Sequence, residues 1–194
     1  IIKTPDTLNI TGNGECTVES KCPGNAGTIK ITSPNMALSE SIDITASTSD
    51  IGDGGQIKIE AGEITAPNST ISAKSTGAGN AGTIDITAQG DITTGVVTSA
   101  AKNKRETADG GRISITSEQG KINATQAIQS FSNTGNAGNV TLQAQTDITT
   151  NTINSHGQQK GGEITITSET GNIDTSGGNF LANYSGEGNA GDLI

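Results

Sequence analysis

The sequence predicts an all-β chain, a right-handed parallel β-helix of about seven coils with three short strands in each. Three observations predict it. A glycine-marked unit recurs along the chain, an Ile-x-Ile alternation follows each marker, and the 194 residues include 27 Gly but only 2% aromatics. That composition does not support a conventional core of large rings, and without the periodicity it would suggest disorder.

The markers come first. Gly-Asn-Ala-Gly occurs at 24–27, 79–82, 135–138 and 188–191, and Asp53-Gly54-Gly55, Asp109-Gly110-Gly111 and Lys160-Gly161-Gly162 lie between these copies. The last glycines, at 27, 55, 82, 111, 138, 162 and 191, are spaced by 28, 27, 29, 27, 24 and 29 residues. The corner residues of this unit are Gly24, Asn25, Gly27, Gly79, Asn80, Gly82, Gly135, Asn136, Gly138, Gly188, Asn189 and Gly191. Glycine and asparagine there are expected to supply the positive φ of sharp bends.

The first strand of each unit follows its marker. Its apolar pairs are Ile29/Ile31, Ile57/Ile59, Ile84/Ile86, Ile113/Ile115, Val140/Leu142 and Ile164/Ile166. A period of two places these residues inward and their polar neighbours outward. A second apolar peak is read at Ile42/Ile44, Ile64, Ile92, Ile122, Ile148 and Ile173, and a third near Ile71, Val97, Ile128, Ile153 and Phe180/Leu181. A unit this short cannot bury its own apolar face. Stacking in parallel solves the problem, with Ile ladders as the interior and a rod of about 34 Å as the result. An antiparallel sandwich would need turn signals after every strand, whereas the strong markers come once per three.

The two ends fit one another as parts of a single β-helix segment over 1–194, uncapped at both ends. The chain closes on Gly191-Asp-Leu-Ile194, the opening of a strand, and begins with Ile1-Ile2, followed by a second-face strand that contains Leu8 and Ile10. Cys16 and Cys22 enclose five residues, so the 12–23 stretch is either a disulfide-closed loop or carries two free thiols.

A net charge of −9 and a pI near 4.4 argue against nucleic acid as a partner, and no apolar run is long enough for a membrane span. Catalytic residues, metal sites and cofactors are not expected. Asp43, Asp85, Asp91, Asp147 and Asp174 read as acids on solvated strands, His156 sits in a polar turn, and Phe131, Phe180 and Tyr184 are few for a carbohydrate cleft. The loop Ser49–Gly55 holds Asp50 and Asp53, but the acid does not recur at Lys160, so a repeating calcium site is not expected. An ice-binding threonine ladder is interrupted by Lys30, Lys58, Asp85 and Glu60. The basic stretch Ala101–Glu106 reads as a solvated loop or as a contact for an acidic surface.

The units Gly79–Thr87, with Gly90–Thr94 and Gly171–Thr175 as following segments, resemble the large secreted exoproteins of the filamentous-haemagglutinin type, and cyanobacterial members in particular. The resemblance runs from about Gly24 to Ile194. It implies an extracellular or cell-surface rod serving adhesion, matrix or filament building. The expected function is therefore a non-catalytic structural or fibre-forming segment, with itself or adjoining coils of a longer chain as partner and surface glycans as a further one. The alternative is an adhesin stalk or carbohydrate-binding protein, with a polysaccharide-active enzyme or an ice binder behind it.

Overall fold

A computed structural model describes residues 7–11, 25–39, 41–49, 51–103, 106–186 and 188–194. Gly24, Cys16, Cys22 and the 12–23 loop lie outside these residues. Every strand pairing among the described residues is parallel, and the strands form one sheet coiled into a β-solenoid of about five turns. No helix among them is long and apolar enough to cross a membrane.

The first ladder runs through β2 (Thr28–Ser39), β4 (Gln56–Ser72), β5 (Thr83–Ala88), β7 (Ile113–Ser117), β10 (Val140–Ala144) and β13 (Ile164–Ser168). Ile29, Ile57, Ile84, Ile113, Val140 and Ile164 stack in register, and two residues later Ile31, Ile59, Ile86, Ile115, Leu142 and Ile166 do the same. Ten of these twelve are buried; Ile31 and Ile166, on the first and last of these strands, are half-buried. The polar residues between them alternate outward, as the pleat requires.

The second ladder passes from the far part of β2 and the middle of β4 to β6 (Ile92–Ala101), β8 (Ile122–Ala124), β11 (Ile148–Thr150) and β14 (Ile173–Asp174). Leu38, Ile64, Ile92, Ile122, Ile148 and Ile173 are its rungs. The third comprises β1 (Thr7–Thr11), β3 (Ser41–Thr45), the ends of β4 and β6, β9 (Ile128–Ser132), β12 (Ile153–His156) and β15 (Phe180–Leu181). Its rungs are Ile10, Ile44, Ile71, Val97, Ile128, Ile153 and Phe180.

Two segments lie on a different face from the one the sequence predicts. Ile42/Ile44 lie on the third ladder, because β2 shifts register between Ser33 and Ala37 and delivers Leu38 to the second. The strand with Leu8 and Ile10 pairs with β3 and so also belongs to the third ladder.

The marker glycines have a different reason from the one expected. None of Gly55, Gly82, Gly111, Gly138, Gly162 and Gly191 has a positive φ. A Cβ on Gly82 would lie 1.8 Å from the Gly55 carbonyl oxygen, and one on Gly111 would lie 1.7 Å from that of Gly82. Consecutive coils touch backbone to backbone at this corner, and no side chain fits between them.

One irregularity reaches past a neighbouring coil. Between Ala66 and Thr70 the chain bulges, and Gly95 in the next coil leaves room for it: a Cβ there would meet the Pro67 and Ser69 carbonyl oxygens at 2.8 and 2.4 Å. The Thr125 hydroxyl, two coils on from Pro67, donates to the Pro67 carbonyl at 2.8 Å, and the Gln126 amide donates to it at 3.3 Å.

Candidate functional site

The corner before the first ladder is held by side chains at a single position. Asn25, Asp53, Asn80, Asp109 and Asn136 each stand two residues before a last glycine. The Asp53 backbone N–H donates to Asn25 Oδ1 (2.9 Å), Asn80 N–H to Asp53 Oδ1 (2.7 Å), Asp109 N–H to Asn80 Oδ1 (2.8 Å) and Asn136 N–H to Asp109 Oδ1 (2.7 Å). Asp53 and Asp109 are thus the acidic equivalents of the marker asparagines. The signal was in the sequence, since the offset from the last glycine never varies.

Lys160 occupies the same position in the next coil and has no side-chain acceptor. There a groove of about 320 Å³ opens, lined among others by Asn136, Asn139, Lys160, Glu163 and Asp192. Asn189 follows Lys160 in the series, and its N–H has no carboxamide or carboxylate above it.

A second device leaves no hydropathy signal in the sequence. Two residues after each third-ladder rung stands a small residue: Ala46, Ala73, Ser99, Ser130, Ser155 or Ala182. The buried serine hydroxyls donate to glycine carbonyls of the corner: Ser99 to Gly82, Ser130 to Gly111 (2.7 Å) and Ser155 to Gly138 (2.7 Å). Hydropathy reads these serines as surface, yet a hydroxyl that satisfies a buried carbonyl belongs inside.

The strand acids have structural partners on adjacent coils or in their own turns. Asp85 pairs with Arg112, Asp91 accepts the Lys121 N–H at 3.0 Å, Asp147 accepts that of Asn172 at 2.7 Å, and Asp174 accepts that of Ser176 at 2.9 Å. The Ser176 N–H holds the Asp174 carboxyl below its ordinary range. On the first face Lys58 bonds Glu60 at 2.6 Å and Thr32 donates to Glu60 at 3.1 Å. The Lys58 contact lowers the Glu60 pKa first and Thr32 next, while Lys58 itself is raised. Asp43 is half-buried on β3, opposite Thr70. No group of three or more His, Cys, Asp or Glu among the described residues could hold a metal ion.

The outer third face differs from the others. Ala100, Phe131 and His156 are in-register neighbours, with Lys74 one coil before and Asn183 one coil after. Lys102 Nζ lies 5.8 Å from the centroid of the Phe131 ring, and His156 Nδ1 is 2.9 Å from Asn183 Oδ1. Burial, and then the neighbouring Lys102, lowers the pKa of Lys74. Tyr184 stands opposite Gly157 and is 39% exposed. In the adjoining outward column, Thr98 Oγ1 and Asn154 Oδ1 are the buried side-chain polar atoms without a partner among the described residues.

No protein-family model matches the chain, and no curated protein and no solved structure matches it. The geometry alone defines it as a parallel β-solenoid of the structural-repeat class.

Proposed function

We propose that the chain is a non-catalytic structural rod, a fibre-forming or filament-borne segment that works outside the cell or at its surface. The observation that supports this reading is the continuity of three in-register ladders, in which every added rung repeats the contacts of the previous one. Such a stack is stiff, offers few unpaired backbone groups along its length and resists proteolysis. In this reading the coil is right-handed, as parallel crossovers favour, and seven three-stranded coils make up the segment. Further coils, covalent or supplied by another copy, add in the same register. Leu193 already stacks in this way on Ile164. The repeat texture keeps the filamentous-haemagglutinin type of exoprotein as the family this reading favours.

Electron microscopy of the purified chain tests it. Elongated particles or fibres with an axial repeat near the inter-strand spacing of about 4.8 Å are expected. Globular particles without axial order overturn it. Turnover assays on acidic and neutral polysaccharides are expected to release no product, and product formation that scales with protein concentration overturns the non-catalytic part.

A further inference from the structure

We propose that the outer edge of the third ladder, from Lys74 to Asn183, binds an acidic, uronate-bearing polysaccharide chain laid along the solenoid axis.

The chain contains two Phe, one Tyr and one His. Two of these four rings, Phe131 and His156, stand on neighbouring coils in one column, Tyr184 is exposed one coil further on in the adjoining column, and Phe180 packs against the core. Phe131 and His156 flank the buried serines Ser130 and Ser155, so alternation along β9 and β12 turns both rings outward. An outward ring contributes nothing to the Ile ladders. Its apolar face suits the C–H face of a pyranose, and its polar rim tolerates hydroxyls.

Charge selects the acidic class. On a chain of net charge −9, burial and then the nearby Lys102 lower the pKa of Lys74. Among the described residues neither has a carboxylate partner, whereas Lys58, Arg112 and Lys121 each have one. Lys102 instead rests over Phe131, which fixes a cation beside the ring. A carboxylate carried on a stacked sugar meets these ammonium groups without a repelling acid between them.

Length and polarity agree. Lys74, Ala100, Phe131, His156 and Asn183 occupy successive rungs, a span of about 19 Å that accommodates several sugar rings in line. The next column supplies the Gln129 and Asn154 amides. The site depends on the register of β6, β9 and β12, not on fibre formation, so the two readings fail separately.

The test is calorimetric titration of the full chain with oligogalacturonate, and with cello-oligosaccharide of equal length as the neutral control. Binding of the uronate and not of the neutral glucan is expected, weakening as salt is raised. Phe131→Ala is expected to weaken it by about tenfold or more, and Lys102→Glu, at an exposed position, to abolish it with the circular dichroism spectrum unchanged. No heat with the uronate, equal binding of the neutral glucan, or an affinity that Lys102→Glu leaves unchanged overturns the proposal.

Discussion

The corner from Asn25 to Asn136 and the corner from Lys160 onward have the same glycines and different consequences. Upstream, the Asn25, Asp53, Asn80 and Asp109 side chains each accept the backbone N–H of the next coil, so four successive bonds run along the edge. Downstream, Gly161 and Gly162 keep the close backbone approach, yet the lysine offers no acceptor and a groove appears. Close approach and edge bonding are therefore separate properties. Glycine secures the first, and a short carbonyl-bearing side chain secures the second.

The glycine contribution, common to both regions, is the easiest to break. Gly111→Ala drives a Cβ into the Gly82 carbonyl with backbone on both sides of the contact, a strain beyond the roughly 1–3 kcal/mol of ordinary overpacking. The expected outcome is loss of the cooperative thermal transition. Next in size is the core. Ile115→Ala, at a fully buried rung, is expected to cost about 2–5 kcal/mol in urea unfolding, and the equivalent Ile166→Ala at a half-buried rung distinctly less. Equal losses at both sites would mean that the interior is uniform along the axis.

The edge bonds come third. Asp109→Ala removes the acceptor of the Asn136 N–H and side-chain amide, with an expected loss of about 1–3 kcal/mol, whereas Asp109→Asn keeps the acceptor and is expected to be nearly neutral. The same unfolding measurement separates them: if Asn loses as much as Ala, the carboxylate charge and not the hydrogen bond matters. The smallest effect sharpens the contrast from the other side. Lys160→Asn restores an acceptor for the Asn189 N–H and is expected to gain about 0.5–1 kcal/mol, read as a modest rise in Tm.

The first ladder was legible because Ile alternation states its own face directly. The other two were not fully so. An apolar peak marks a strand without saying which face it joins, and the register shift after Ser33 moved Ile42/Ile44 one face further than spacing suggested. The Asn/Asp series was visible as letters, but its meaning needed the register that superposes Asp53 on Asn80. Ser99, Ser130 and Ser155 were hidden for a chemical reason: a buried hydroxyl is identified by the carbonyl it meets, and that carbonyl is 17 to 19 residues away in sequence. The pairing of Phe131 with His156 likewise exists only once coils are stacked.

The Pro67 bulge changes how such a stack comes apart. Solenoids whose repeats touch only their neighbours can fray one layer at a time. Here Thr125 and Gln126 grip the Pro67 carbonyl across the intervening Thr94–Gly95 layer. That layer cannot be peeled alone, because releasing it also severs a clasp between its neighbours above and below. This stretch is expected to open as a block of three, an arrest point for unravelling from either direction that matched hydrogen-exchange protection of the three layers would reveal.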